Sequence, residues 1–292
     1  MLWIPVTIAA ACLQTGRNAL QRDLIGPAGL AGATLVRFLF GLPFALALAA
    51  AALSFAPGYR PHLEAEFWIA CAAGAAAQVA ATAALLAAMR RAGFALGTVF
   101  QLSGIPLAGL IGLALGDRLS PWRWLGLGLT CAALAVLAWP RRERQAGGAL
   151  AALMGLAAGL GFAVAANAYR QAALGLGGGH AFVAAQITLV SVQGLQSAVL
   201  IAGLAAFDRP ALAAVVRSWR ASLGAGALAT AASSLWFTAF ALAPAGPVRA
   251  VGAIEAPVAA AIGRHRFAER PSVRQLLASA AVLAGVCLAA LG

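Results

Sequence analysis

The chain has no lysine: its Lys+Arg total of 20 is arginine alone. Acids are scarce too, with Asp and Glu together numbering 8 against a formal net charge of +12. In a soluble chain that imbalance would point to nucleic acid. Here the arginines stand in short gaps between long apolar blocks, so they read as topology signals and lipid-headgroup contacts, and no nucleic-acid partner is expected. Charged residues make up 10% and hydrophobic ones 63% of the chain, a composition that excludes an ordinary soluble domain. The three histidines, His62, His180 and His265, lie in separate gaps. The four cysteines, Cys12, Cys71, Cys131 and Cys287, sit inside apolar segments without ligand spacing. Neither set predicts a metal site, and no cofactor is expected. A Ser-His-Asp arrangement, a phosphate loop and paired membrane carboxylates are all missing. The GLGGG run at 175–179 follows no strand, so it reads as a helix connection and not a dinucleotide fingerprint.

What remains is hydrophobic length. The apolar blocks run to about 18–28 residues, enough to cross a bilayer core as helix. They predict an all-α membrane protein with ten spans: 3–22, 28–54, 67–90, 93–115, 121–139, 149–173, 180–206, 220–242, 246–263 and 273–291. Ala and Leu dominate and strand-like alternation is absent, which argues against a barrel. The opening MLWIPVTIAAA lacks a basic leader region and reads as the first membrane helix. Residues 207–220 predict an amphipathic surface segment, with Val216 and Trp219 dipping into the lipid.

One acid stands apart. Glu255 lies deep in the run 246–263, two residues before Pro257, whereas every other acid falls in or beside a polar gap. A carboxylate at bilayer depth costs about 2.5–3.5 kcal/mol, which marks it as a functional candidate. The alternative is a protonated or paired carboxyl that locks two helices. Arg37, well inside the second span, is the matching cation. It is either a clamp for an anionic group or a fixed partner of Glu255. Arg249 stands nearer a predicted helix end and is expected to snorkel.

Amide-bearing stripes recur at helical spacing. The first helix aligns Thr7, Gln14, Asn18 and Gln21, with Arg17 beside them. The third aligns Gly74, Gln78 and Thr82. The sixth aligns Asn167 and Gln171, with Tyr169 and Arg170 adjacent, and the seventh Gln186, Gln193 and Ser197. The eighth offers Ser234 and Thr238 beside Trp236. Each stripe alone is helix glue as readily as cavity lining. Together they favour a polar central cavity. Its predicted substrate and coupling residues are Glu255, Arg37, Gln14, Arg17, Asn18, Gln78, Gln101, Asn167, Gln186, Gln193 and Trp236. One buried acid is too little for membrane-embedded catalysis, so no catalytic residue is assigned. A membrane enzyme and a lipid-handling scaffold stand as the competing classes.

The chain also repeats itself. Residues 104–129 resemble 255–280, placing Pro106 on Pro257 and Asp117-Arg118 on Glu269-Arg270; RNALQ at 17–21 resembles ANAYR at 166–170. Five helices per repeat, 1–145 and 146–292, force opposite orientations. With its paired signature of a mid-helix proline followed by an acidic-Arg turn, the chain resembles the drug/metabolite transporter superfamily, EamA type. The resemblance spans essentially the whole chain. It implies two inverted five-helix repeats in a bacterial cytoplasmic (inner) membrane. It also implies movement of a small metabolite such as an amino acid, usually export and often by proton exchange, by a monomer or homodimer. The aromatic-rich signature of the group's aromatic amino-acid exporters is missing, since Gln101-Leu102-Ser103-Gly104 precedes Pro106. Orientation divides the two lines of reasoning. Most arginines fall in gaps after odd-numbered helices, which places both termini outside. Many members of the family keep both inside.

Overall fold

The computed structural model describes residues 1–23, 32, 34–94, 101–138, 148–177, 179–267 and 273–291. All regular structure among them is helical: α1 (Trp3–Asp23), α2 (Leu42–Ser54), α3 (Ala65–Ala92), α4 (Gly104–Ala114), α5 (Pro121–Ala138), α6 (Gly148–Gly175), α7 (Ala181–Phe207), α8 (Arg209–Arg217), α9 (Trp219–Leu242), α10 (Ala245–Gly252), α11 (Glu255–Phe267) and α12 (Val273–Leu291). Among the described residues five stretches are long and apolar enough to cross a membrane: Thr34–Ser54, Ala65–Ala92, Ala149–Gly175, Ala181–Phe207 and Ser222–Leu242. The outer faces carry bare apolar side chains such as Leu46, Ile69, Leu113, Leu153 and Val199, while the interior holds Arg17, Asn18, Gln101 and Glu255. Water would invert that distribution; a hydrocarbon solvent favours it.

Helix α3 lies along α6, α1 along α9, α5 along α12 and α2 along α7. The amphipathic α8 begins at Asp208, whose side chain accepts from the Ala211 amide at 3.0 Å. It packs Val215 inward and leaves Val216 exposed, and Trp219 at the start of α9 is exposed beside it, in keeping with the surface segment expected there.

Three predicted spans are interrupted. The stretch 246–263 is not one helix with Glu255 near its middle. Helix α10 ends at Gly252, Ala253 and Ile254 form a turn, and Glu255 opens α11. The cause is Pro257. It has no N–H to give to a carbonyl four residues back, and is tolerated only in a first helical turn. The chain therefore restarts two residues before it, with the Ala256 amide closing on Ala253 O at 2.9 Å. The stretch 93–115 breaks in the same way. Leu102 and Ser103 form the turn, α4 starts two residues before Pro106, and the Ile105 amide closes on Leu102 O at 3.0 Å. At 11 residues α4 rises only about 16 Å, too short to cross alone. Gly159 of α6 permits this break, because a Cβ there would lie 2.7 Å from both Gln101 O and Gly104 N.

A third break falls at Phe40–Gly41, inside the span 34–54. Its carbonyls are met by side chains: Thr230 Oγ1 donates to Gly41 O at 2.8 Å and Gln193 Nε2 to Phe38 O at 3.1 Å. The Glu269-Arg270 half of the repeat signature, the arginine-rich gap at 140–147 and the start of the predicted span 28–54 lie outside the described residues.

Candidate functional site

Glu255 has no exposed surface, and an amide serves each of its oxygens. Gln14 Nε2 of α1 donates to Oε1 at 2.7 Å, and Gln101 Nε2, before the other helix break, donates to Oε2 at 2.7 Å. The carboxylate thus ties α1 to both interrupted segments. Arg249 and Arg17 are the cations that act on it electrostatically. Neither forms an ion pair with it within 4 Å among the described residues. Arg17 instead donates through Nε and Nη2 to Asn18 Oδ1, at 3.2 and 2.6 Å.

Gln14 also lines a cavity, with Arg37, Gln78 and Arg249 as its other long polar side chains. Its free space is about 20 Å³, room for little more than one water. Arg37 donates to Thr82 Oγ1 at 2.9 Å, not to Glu255. The fixed Arg37–Glu255 pair is therefore not what this arrangement holds. Gln78 belongs to a network: its Oε1 accepts from Tyr169 Oη at 3.0 Å and from Gln196 Nε2 at 2.8 Å. The single Tyr169 hydroxyl proton is shared with Gly74 O, 2.8 Å away, and the ring stacks on Phe237 with centroids 4.2 Å apart.

Of the residues singled out from sequence, Gln14, Arg37, Gln78 and Trp236 line the cavity. Glu255 adjoins it through Gln14, and Gln101 stands behind Glu255. Arg17 and Asn18 lie one turn further along α1, fully buried. Three others bond elsewhere. Asn167 donates to Ala108 O at 3.1 Å and to Ala163 O at 3.0 Å, fastening α4 to α6. Gln186 reaches Thr238 Oγ1 of α9 at 3.4 Å. Gln193 serves the break at Phe40–Gly41. In a hydrocarbon solvent a long amide is spent first on orphaned carbonyls, and only the remainder faces a cavity.

Two features escape the sequence reading. Arg249 does not snorkel: it is 4% exposed, because α10 is buried along its whole length and its end is not at the surface. Its guanidinium carbon lies 5.1 Å from the Trp236 ring centroid and 5.8 Å from that of Phe162. The cavity wall is also aromatic. Phe162 and Tyr169 come from α6, and Trp236, Phe237 and Phe240 from α9. The signal is present as spacing, since 162, 165, 166, 169 and 233, 236, 237, 240 each follow i, i+3, i+4, i+7, one face of a helix. Aromatic lining thus comes from α6 and α9 and not from the stretch before Pro106, so the missing signature at 101–104 does not make the pocket aromatic-poor. On α9 this face replaces the predicted Ser234–Thr238 stripe, whose members bond to each other along the helix, Thr238 Oγ1 to Ser234 O at 2.7 Å.

No family model and no curated protein matches the sequence. A solved crystal structure of a protein shares the architecture, with a TM-score of 0.64 at 17% identity over 99% of this chain and 96% of that one. At that identity the likeness is one of fold.

Proposed function

We propose that this protein is a secondary transporter of a small polar metabolite, with ten membrane helices in two inverted repeats, of the EamA type within the drug/metabolite transporter superfamily. The observation that carries the reading is Glu255: fully buried, opening an interrupted helix, and held by amides from two other segments beside a polar and aromatic cavity. Interrupted helices meeting near mid-membrane are how alternating-access carriers expose backbone and charge to a substrate. The repeat reading draws support from the two breaks. Each helix restarts two residues before its proline, and each restart is closed by an i to i−3 hydrogen bond. Packing is mirrored in the same sense, α3 on α6 answering α1 on α9. A cavity of about 20 Å³ is smaller than any metabolite, so the surrounding helices must part on one side to load it.

In this account Glu255 alternates between charged and neutral as a proton is exchanged, and the protein sits in a bacterial cytoplasmic membrane as an exporter. Sealed membrane vesicles containing the protein should accumulate a small metabolite when a pH gradient is imposed. Vesicles that bind metabolites without ever concentrating one would count against transport and for the scaffold or enzyme classes.

A further inference from the structure

Three arginines, Arg17, Arg37 and Arg249, are each at most 4% exposed, and Glu255 is the one fully buried acid near them among the described residues. Each of its oxygens accepts one amide, from Gln14 or Gln101, and neither accepts from an arginine among the described residues. The centre therefore carries cationic hydrogen-bonding capacity beyond what the chain itself uses. Arg249 has the most. Its Nε and Nη2, the two donors along one edge of the planar fork, have no hydrogen-bond partner among the described residues. Trp236 Nε1 is likewise unpartnered. Arg249, Trp236 and Phe162 line the same cavity, and the guanidinium carbon lies over both rings. A cation held over aromatic faces presents its edge for hydrogen bonding, and that edge matches the two oxygens of a carboxylate. Buried charged donors left unpaired are costly, so such an edge is kept where a ligand supplies the acceptor.

We propose that the substrate is a small organic anion bearing one carboxylate on a flat apolar body. The carboxylate is taken by Nε and Nη2 of Arg249, with Trp236 Nε1 as a further donor, and the body lies against Trp236, Phe162 and Phe240. This rests on the transporter reading and names its substrate class. Arg37 differs, because its Nη1 is already engaged by Thr82.

The test is binding to the purified full chain in detergent. Benzoate is titrated against its neutral isostere benzamide, and tryptophan fluorescence and the thermal midpoint are followed. Benzoate should saturate and raise the midpoint, with benzamide about tenfold weaker or more. Arg249→Gln should lose about tenfold or more of benzoate affinity and leave benzamide unchanged. Arg249→Lys, which keeps the charge and removes the fork, should fall between them. Equal binding of benzoate and benzamide, or benzoate affinity unchanged in Arg249→Gln, would overturn the assignment. If the Gln variant does not yield monodisperse protein, the Lys variant decides it alone, and unchanged affinity there overturns it. Inorganic phosphate binding more tightly than benzoate would assign the fork to a phosphate and remove the carboxylate class. Detergent solution has no two sides, so the site and the transport can fail separately. Benzoate bound but never accumulated in vesicles would leave the anion site and sink the carrier. Accumulation of a neutral solute undiminished by Arg249→Gln would do the reverse.

Discussion

Asp117 and Glu255 are both carboxylates inside the bundle, and the arginines treat them differently. Asp117 is met directly: Arg170 Nη2 lies 3.1 Å from its Oδ1, Nε donates to the same oxygen at 3.1 Å, and Nη1 donates to Phe240 O at 2.9 Å. That pair is partly exposed, at 14% and 11%, and it joins the turn after α4 to α6 and α9. Glu255 is fully buried, yet no arginine pairs with it directly among the described residues. Amides hold its oxygens while Arg17 and Arg249 keep donors unspent. A direct ion pair, here made through Asp117 Oδ1, is a strut. A buried acid and unsatisfied arginines that act on one another without pairing form a set whose partners are free to change.

The comparison can be broken from either side. The largest effect should come from Gln14→Ala combined with Gln101→Ala, which leaves both Glu255 oxygens without these donors. Each loss should cost roughly 1–3 kcal/mol, read from the denaturation of the purified protein. Gln14→Ala alone should cost about half of that. Arg37→Lys should insert normally and cost about 1–1.5 kcal/mol of stability, because the Nη1 bond to Thr82 is lost or weakened, while benzoate affinity stays within about threefold; a tenfold loss of affinity would make Arg37 a second anion clamp. The smallest effect should be that of Asp117→Asn, within about 1 kcal/mol and with transport retained, since the pair is partly exposed and Phe240 O still holds Arg170. A transport defect there as large as that at Glu255 would erase the distinction between strut and site.

Much of the centre was legible because polar residues in apolar runs have few innocent explanations. Glu255, Gln14, Gln78, Gln101 and Arg37 stand out on that ground, and the cavity region gathers them. Gln193 and Asn167 carry the same signal and serve carbonyls instead, because sequence does not reveal where a helix ladder will break. Arg249 escapes the sequence for the same reason. Nearness to a helix end along the chain suggests nearness to the surface, but the interruption at Ala253–Ile254 puts that end in the interior. The aromatic wall was hidden by composition, since Phe and Trp in a membrane helix face lipid as readily as a cavity. Orientation rests on the arginine bias alone. A reporter active only in the cytoplasm, fused after Gly292, should stay silent if both termini are outside, and a strong signal would place the C-terminus inside.

The central claim is that Glu255 couples proton movement to transport, and one measurement addresses it directly. A pH-sensitive dye is sealed inside proteoliposomes, which are then challenged with small carboxylates and amino acids. The wild-type chain should move protons in response to its substrate. Glu255→Gln keeps the shape but cannot ionise, and its new NH2 can be accepted if the Gln14 or Gln101 amide flips; it should fold, bind that substrate and move no protons. Substrate-driven proton flux of equal size in the Gln variant would contradict the account.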